Sequence, residues 1–264
     1  MFNFLQKQKG DDKMTVRDRM DSILEILEKK KHVPTSYLCE ELYSSPATIR
    51  RDLIELEKQG LIERRHGEVS LIPKSKVEFS YLYRETKNLN EKKYISKLAR
   101  DFISNGQTIF LDASSTVNNL CPLLEDYKNL TVLTNGIKTA MELSLLTDIN
   151  AFLTGGEIKQ GSSAIVGEFS YDFLSNFKAD ICFISCRSLN KNGVFEVNHH
   201  QPLVKRYMMK NSDMTILLCD HSKFDQDGFF KLCNFTQIHT IITNEKPSEE
   251  IIQIVNSAGS EIIW

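Results

Sequence analysis

The stretch Ser45-Pro46-Ala47-Thr48-Ile49-Arg50-Arg51-Asp52-Leu53 opens a helix and decides the fold of the first part of the chain. Its serine is a typical helix cap, and its proline suits the first helical position, where no backbone N–H is required. Gly60 is a typical C-terminal stop for such a helix. Ile49, Leu53 and Leu56 recur at helical spacing, so the stretch predicts a helix with one buried apolar stripe.

The segments around this helix predict a winged helix-turn-helix over residues 15–72. Apolar residues at helical spacing predict a first helix over Arg17–Lys30 and a second over Ser36–Leu42. Residues 61–71 form two β-rich runs around a polar turn, which predicts a short hairpin. Three helices followed by such a hairpin, the wing, are typical of DNA-binding domains.

The outward face of the third helix carries residues suited to DNA. With the apolar stripe inward, Ala47, Thr48 and Arg51 face outward and Arg50 lies on the flank. A helix in the major groove needs small residues for close approach, a hydroxyl, and arginine for guanine or phosphate. Arg64-Arg65-His66 lies at the tip of the predicted wing. An isolated arginine pair is usually a solvated surface feature, but two pairs on these two elements favour binding to double-stranded DNA.

The predicted DNA-contacting set joins the helix start, the turn before it and the wing. Thr35 is also the expected N-cap of the second helix. Asp52 is expected to anchor an arginine rather than to contact DNA. The set comprises Thr35, Ser44, Ser45, Ala47, Thr48, Arg50, Arg51, Arg64, Arg65 and His66.

Composition excludes several classes of protein. The net charge of −2 excludes a general polyanion binder, so any DNA contact must come from a local patch. Six cysteines without a CxxC pair predict reduced thiols rather than a disulfide framework. No apolar run approaches the length of a membrane span, and no secretory signal is evident, so we expect a cytoplasmic protein. The histidines lack ligand partners at metal spacing, and no GxGxxG motif occurs, so we expect neither a metal nor a cofactor.

The rest of the chain predicts a doubly wound, mostly parallel α/β domain over residues 93–264. Residues 73–92 are polar with scattered aromatics and are expected to form a linker. Beyond them, helix signals alternate with β-rich runs, a pattern typical of a parallel sheet covered on both faces. The predicted strands are Thr108–Leu111, Leu130–Thr134, Ile149–Leu153, Ile181–Ser185, Met214–Cys219, Thr240–Thr243 and Glu261–Trp264.

Small polar residues and glycines follow four of these strands and predict a ligand crevice. Ligands of doubly wound sheets bind beyond the carboxyl ends of strands. Ser114-Ser115-Thr116 precedes a predicted helix whose free amides would suit a phosphate, and lysines could balance its charge. Such residues also cap helices without any ligand, but four loops together favour a site. The predicted effector-binding set is Asp112, Ser114, Ser115, Thr116, Thr134, Asn135, Gly155, Gly156, Lys205 and Lys223.

The sequence resembles the DeoR family of sugar-metabolism regulators over about residues 15–245. The most specific feature is Thr48-Ile49-Arg50-Arg51-Asp52-Leu53 at its place in the motif. Other matching stretches are Leu56–Ile62, Arg64–Gly67, Glu91-Lys92-Lys93, Phe110-Leu111-Asp112, Thr134-Asn135, Gly155-Gly156, Val204-Lys205-Arg206 and Ser222-Lys223-Phe224. The resemblance implies a C-terminal domain similar to ribose-5-phosphate isomerases that binds a phosphorylated sugar effector.

The chain departs from the family pattern at three places. The usual Asp-x-Gly-Ser-Thr-Thr loop is Asp112–Val117 here, and the Gly-x-x-Gly-Ile-Asp stretch is Ser185–Asn190. The Glu-Ala before Val-Lys-Arg is Gln201-Pro202. Isomerisation through an enediol needs a carboxylate base. With Asn190 and Gln201 in place of two acids, the sequence does not predict an enzyme.

The leading hypothesis is therefore a sequence-specific repressor of sugar-metabolism genes, gated by a phosphorylated sugar. Paired DNA half-sites require at least a homodimer, so we expect a dimer or tetramer. One alternative is a sugar-phosphate isomerase with an appended DNA-binding domain. Another is a ligand-blind DNA-binding regulator.

Overall fold

A computed structural model describes residues 15–59, 61–65, 67–72 and 78–264. The chain divides into two compact units, residues 1–77 and residues 78–264. Gly60 and His66, at the predicted helix end and wing tip, lie outside the described residues.

The first unit has three helices and a small antiparallel sheet, which confirms the predicted winged helix-turn-helix. Its elements are α1 Val16–Lys30, β1 His32–Pro34, α2 Thr35–Glu41, α3 Pro46–Lys58, β2 Ile62–Arg65 and β3 Glu68–Leu71. A capping box between Thr15 and Asp18 starts α1. The sheet has the order β1-β3-β2. Buried side chains such as Leu38, Leu53 and Val69 close the core between helices and sheet.

The prediction that Thr35 caps α2 is wrong. The cap is Pro34, and Thr35 is the first helical residue. The Thr35 backbone N–H donates to the Gly67 carbonyl of the wing at 3.1 Å. Val33, just before, is buried and pairs with Val69. The wing therefore holds this backbone as strand β1, a tertiary contact that three residues of sequence do not reveal.

The second unit is built on a seven-stranded parallel sheet, as predicted. Its helices are α4 Tyr81–Thr86, α5 Leu89–Ala99, α6 Ile137–Leu143, α7 Glu168–Ser175, α8 His200–Lys210 and α9 Glu249–Ser257. Its strands are β4 Thr108–Leu111, β5 Leu130–Thr134, β6 Ile149–Leu153, β7 Glu157–Lys159, β8 Ala164–Val166, β9 Ala179–Ile184, β10 Ser188–Asn190, β11 Gly193–Glu196, β12 Ser212–Leu218, β13 Phe230–Cys233, β14 Thr240–Ile242 and β15 Glu261–Ile263.

Strand order places a ligand crevice beside β4. The large sheet runs β15-β14-β12-β9-β4-β5-β6, with parallel pairing throughout. From β4 the chain adds β5 and β6 on one side and then crosses to β9 on the other. The carboxyl ends of β4 and β9 therefore form the topological switch point, where doubly wound sheets bind ligands. Separate apolar clusters cover the two faces of the sheet.

Within the described residues, the part of the predicted linker from 78 to 92 is largely helical and belongs to the second unit. The structure starts this unit at Glu78 rather than at Lys93, with α4 and the beginning of α5 inside residues 78–92. Phe79, Tyr81 and Tyr83 are buried there. These aromatics lie in a polar segment that is too short to show a helical period, so their burial could not be predicted from the sequence. Within the described residues, no helix combines the length and apolar character required to cross a bilayer.

Candidate DNA-binding surface and effector site

The start of α3 presents the face predicted to bind DNA. Ser45 Oγ accepts a hydrogen bond from the Thr48 backbone N–H at 3.2 Å and lies 2.9 Å from Thr48 Oγ1. Ala47, Arg50 and Arg51 are exposed, and Thr48 is half-buried. The helix therefore offers a capped N-terminus, a close-approach residue and two arginines on one accessible surface.

Asp52 lies on the opposite, buried side of α3 and fixes it to α1. Arg19 Nε and Nη2 donate to the two carboxylate oxygens of Asp52 at 2.5 and 3.0 Å. The hydrogen bond and the charge of Asp52 together raise the pKa of Arg19 against the opposing effect of burial. This bidentate pair is the arginine anchor that the sequence predicts for Asp52, and it holds α3 with Arg51 turned outward.

The two wing arginines have different surroundings. Arg64 Nε donates to Glu57 Oε2 of α3 at 2.9 Å, and this hydrogen bond lowers the pKa of Glu57. Arg65 is paired with Glu63 at 3.0 Å, but its side chain is 78% exposed. Arg64 therefore ties the wing to α3, and Arg65 is the better placed of the two to reach a DNA phosphate.

The turn before α3 contains a residue that the sequence prediction missed. The hydroxyls of Ser44 and Thr35 donate to the carbonyls of Leu42 and Gly67 at 3.0 and 3.3 Å, so both hold local backbone. Tyr43 is 93% exposed and has φ 47, in the left-handed region. An aromatic side chain at a tight turn between the two helices is the signal that could have identified it.

In the second unit, Lys205 is enclosed by acceptors. Its ammonium donates to the Ser185 carbonyl at 2.7 Å and pairs with Asp112 at 3.0 Å and with Glu196. Burial alone would lower the pKa of Lys205, but the charges of Asp112 and Glu196 raise it above its ordinary value. Asp112 also accepts from the backbone N–H of Ser185 at 2.9 Å. This cluster joins the ends of β4 and β9, so Lys205 serves to hold the switch point together.

Lys92 is a candidate effector-site residue that lies outside the predicted set. It is buried, and its ammonium donates to Ser115 Oγ at 3.2 Å, to the Lys87 carbonyl at 2.6 Å and to the Arg84 carbonyl. No carboxylate is among these acceptors. Burial and the nearby charge of Lys223 lower the pKa of Lys92 to about 8. A buried cation held by neutral acceptors is suited to receive an anion.

The loop after β4 offers backbone amides beside Lys92. Ser114 N–H donates to Asp112 Oδ1 at 2.9 Å, and Ser114 Oγ accepts from the Val117 N–H at 3.1 Å. Within the described part of the chain, the amides of Ser115 and Thr116 donate no hydrogen bond. These are the free donors that a phosphate group would use.

Lys223 lies in the short 3-10 turn His221–Lys223 that follows β12, close to Lys92. Asp220 is buried and accepts from Ser222 N–H at 3.1 Å and from Asn88 Nδ2 at 2.8 Å. Burial opposes ionisation of Asp220, but Lys223, these hydrogen bonds and Lys92 lower its pKa overall. The ammonium of Lys223 makes no hydrogen bond or ion pair among the described residues. Lys92 thus lies beside Ser115 in the loop after β4, and Lys223 is close enough to lower its pKa.

In the loops after β5 and β6, some residues hold the backbone in place, and others have atoms without a partner or space for a larger side chain. Asn135 Nδ2 donates to the Ile165 carbonyl at 2.9 Å, and its buried Oδ1 has no partner in the structure described. Thr134 Oγ1 accepts a hydrogen bond from the Gly136 backbone N–H at 2.9 Å. Gly156 has φ +138, and a β-carbon there would lie 2.5 Å from the Val166 carbonyl. A β-carbon on Gly155 would meet no atom within 4 Å. The fold therefore requires glycine at position 156, whereas position 155 has space for a side chain.

Residues 78–88, here called the strap, contact several loops of the second unit and the start of α8. The Glu78 carboxylate accepts from Asn198 at 2.7 Å and from Gln201 at 2.8 Å. The Arg187 guanidinium lies 5.1 Å from the Phe79 ring centre. The remaining strap contacts are Tyr81 N–H with the Gly161 carbonyl, Arg84 with the Ser162 carbonyl and Ser115, and Asn88 with Asp220. The segment predicted as a linker thus contacts loops that surround the crevice.

Comparison with known proteins identifies both units. Residues 19–75 match the family model of the DeoR-like helix-turn-helix domain, and residues 87–245 match that of the DeoR C terminal sensor domain. The chain belongs to the DeoR family. It is 31% identical to the glycerol-3-phosphate regulon repressor of Escherichia coli (strain K12), over 92% of this chain and 96% of that protein. The predicted family is confirmed, and the chain is a DNA-binding transcriptional regulator.

Other DeoR-family relatives are similarly aligned. The HTH-type transcriptional repressor GlcR of Bacillus subtilis (strain 168) is 29% identical over 95% of this chain and 96% of its own length. The lactose phosphotransferase system repressor of Staphylococcus aureus (strain N315) is 28% identical over 90% of this chain and 96% of its own length.

Among solved structures, a ribose 5-phosphate isomerase from Plasmodium falciparum aligns over 52% of this chain and 54% of its own, with 16% identity and a TM-score of 0.38.

The departures from the DeoR pattern have structural partners. Gln201 donates to Glu78, where a glutamate would place two carboxylates together. Asn190 donates to Asp227 at 3.0 Å on the hairpin β10–β11. Val117 is fully buried and contributes to the core beneath the loop. In this member of the DeoR family, the three changes are accommodated by local packing.

Proposed function

We propose that this regulator is a sequence-specific repressor of sugar-metabolism genes whose DNA affinity is set by a phosphorylated sugar. The observation that supports the effector class is the position of Lys92 beside Ser115, whose backbone amide, like that of Thr116, donates no hydrogen bond among the described residues. Lys223 is close enough to lower the pKa of Lys92. Free backbone amides and nearby ammonium groups are the donors that a phosphate site uses. Asn135, with its buried Oδ1 unpartnered, is available to a sugar hydroxyl.

The DNA contacts are assigned to the accessible face of the first unit. Ser45, Ala47, Thr48, Arg50 and Arg51 face outward at the start of α3 and would enter the major groove. Arg65 and Tyr43, on the wing and the preceding turn, would lie along the adjacent backbone. Binding to paired half-sites requires a homo-oligomer.

The strap supplies a route from effector to DNA-binding unit. It begins at Glu78, directly after that unit in the chain, and contacts Ser115 and Asp220, which flank the proposed phosphate site. An effector that prefers one arrangement of these loops biases the strap, and through it the operator affinity.

We also propose that the chain regulates rather than catalyses. Glu196, a carboxylate near the switch point, is paired with Lys205, and the two family acids are the amides Asn190 and Gln201. A general base requires a free carboxylate within reach of the substrate. The isomerase alternative is therefore not favoured.

The test combines DNA selection with an effector panel. Duplexes selected from a random pool by the full-length protein would define an operator, and its affinity would be measured at fixed salt. Phosphorylated sugars should change that affinity and raise the melting temperature, whereas the matched unphosphorylated sugars should do neither. At about 100 times its dissociation constant, an effector adds about 2.7 kcal/mol to stability. A full panel without either effect would support the ligand-blind alternative, and turnover of a sugar phosphate would support the isomerase.

A further inference from the structure

Strand β6 forms an edge of the large sheet and differs from the opposite edge. Residues Asn150–Leu153 of β6 are all exposed, and the run Ile149–Gly156 contains no charged residue and no proline. The opposite edge strand, β15, has three residues and begins with the exposed Glu261. Native proteins blunt free edges by shortness, charge or proline, because unpaired backbone groups otherwise recruit another strand. β15 carries such protection, and β6 carries none.

The unpaired backbone groups of β6 can be assigned from its pairing with β5. Thr154 N–H donates to the Thr134 carbonyl at 3.0 Å. Since backbone groups alternate in direction along a strand, Asn150 and Phe152 also point towards β5. The N–H and C=O groups of Ile149, Ala151 and Leu153 therefore point away from the sheet.

These outward groups are complementary to a second copy of themselves. In an antiparallel pair centred on Ala151, Ile149 lies opposite Leu153 of the copy, and each Ala151 lies opposite its counterpart. All three are hydrogen-bonded positions of the antiparallel ladder, so every outward N–H and C=O in the strand finds a partner. Asp148 then faces Thr154 of the copy, so no like charges meet.

Exposed apolar side chains occur on β6 and on neighbouring segments of the chain. Met141, Leu145 and Phe169 are 67%, 81% and 78% exposed, and Phe152 and Leu153 about 40%. Met141 lies on α6, which packs on β6, and Ser170, next to Phe169, donates to the Gly155 carbonyl just beyond the strand. If a fully exposed residue of this size offers about 150–250 Å², these five present on the order of 500 Å² of apolar surface. A standard interface buries about 800 Å² per partner, so the edge and its flanks approach what a stable dimer needs.

We infer that β6 is the homodimer interface, where two copies pair antiparallel about Ala151 and join their sheets into one continuous sheet. A two-fold axis requires this antiparallel arrangement, because the same patch must meet itself. The inference rests on the proposed function only because that function requires a homo-oligomer. It adds the surface through which the two copies would bind each other.

Two substitutions should separate the copies without disturbing the fold. Ala151→Pro removes an N–H that points away from β5, so the internal ladder stays intact while the copy is excluded. Leu153→Lys places a charge at the edge. We expect at least tenfold weaker self-association by analytical ultracentrifugation, with circular dichroism unchanged. Phe229→Lys, at another residue that is 72% exposed, should leave self-association as in the wild type.

A cross-linking experiment tests the register directly. Hydrogen-bonded antiparallel partners have Cα atoms about 5.5 Å apart, within disulfide range. Ala151→Cys should therefore form an intermolecular disulfide on mild oxidation. Asn150→Cys, whose opposite residue is Phe152 of the copy, should not, and the wild type with its six native cysteines sets the background. A wild type that is monomeric at tens of micromolar, or unchanged self-association in both edge variants without an Ala151→Cys cross-link, would overturn the inference. Loss of DNA selection or effector response alone would instead count against the proposed function.

Discussion

Arg51 and Asp52 are neighbours in sequence and face opposite environments, which makes them the clearest residue-scale link between packing and DNA binding. Asp52 is held by Arg19 inside the unit, and this contact turns Arg51 to the surface. Arg51→Ala should cost about 1–3 kcal/mol of operator affinity if the side chain contacts a base. Arg65→Ala should weaken binding to all sequences alike and reduce the salt dependence by about one phosphate contact.

Fluorescence anisotropy at several salt concentrations, with the selected operator and a scrambled duplex, would measure both effects. Lys97→Ala removes an exposed charge from α5 of the second unit and serves as the control. If Arg51→Ala and Arg65→Ala both bind the operator as the wild type does, the assigned DNA face is wrong.

At the same scale, Lys92 makes the effector response depend on pH. Its pKa is lowered to about 8, so the free protein loses this proton as pH rises through 8. A bound phosphate dianion favours the charged lysine, so binding above pH 8 takes up a proton and the affinity falls by up to about tenfold per pH unit. The effector phosphate titrates near pH 6 and is constant in this range. Calorimetry at pH 7 and 9 should show the fall, and Lys92→Arg, which stays charged, should abolish it.

The ligand-free protein should respond to pH in the opposite direction. The folded pKa of Lys92 lies below the ordinary value of 10.5, so the unfolded chain binds more protons between pH 8 and 10.5. The contribution of Lys92 to stability therefore rises across that window.

For the effector experiment, an affinity that does not change between pH 7 and 9 would show that Lys92 does not contact the phosphate.

The two lysines also show what residue-level reasoning from sequence misses. Lys205 and Lys92 both lie in family motifs, and the sequence favoured Lys205 as a phosphate partner. The acceptors that enclose Lys205 come from strand ends as distant as Asp112. Charge compensation between such distant residues is a property of the fold, so composition and spacing could not distinguish the two lysines.

At the scale of elements, the strands of the large sheet were predictable, and several short strands outside it were not. The bounds of β4 and β5 match the predicted runs, because buried parallel strands are continuous apolar segments. The exposed edge strand β6 also has the predicted bounds. Strand β1 has three residues and depends on a partner far along the chain, because it pairs with β3 of the wing. The strap escaped prediction because α4 has six residues, fewer than two helical turns.

The loop after β6 gives a matched pair of glycine predictions. Gly156→Ala should lower the free energy of unfolding by about 1–3 kcal/mol, because its φ of +138 and the Val166 carbonyl both oppose a β-carbon. Gly155→Ala should stay within about 0.5 kcal/mol of the wild type, since a β-carbon there meets nothing. Urea denaturation would measure both. Equal stability of the two variants would contradict the assigned backbone role of Gly156.

For the whole molecule, the decisive boundary is the one at Glu78. The sequence indicated a second domain from Lys93, but the strap contributes Phe79, Tyr81 and Tyr83 to the buried part of the second unit. Burial of one large side chain contributes about 1.5–3 kcal/mol. The free energy lost with three such buried side chains approaches the total stability of a typical domain, which is about 5–15 kcal/mol. A fragment of residues 78–264 should therefore fold cooperatively, and a fragment of residues 93–264 should not.

Circular dichroism melting and light scattering on the two fragments would decide between these boundaries. We expect a cooperative transition and a defined assembly for residues 78–264, and a broad transition or aggregation for residues 93–264. A matched control is the longer fragment with Leu82→Ala, which truncates a strap residue that is 55% exposed and should melt near the unaltered fragment. Equal melting temperatures for the two fragments would show that the strap is dispensable for folding. In that case its contacts with Ser115 and Asp220 would serve signalling alone, because a segment that the fold does not need can still report on the crevice it touches.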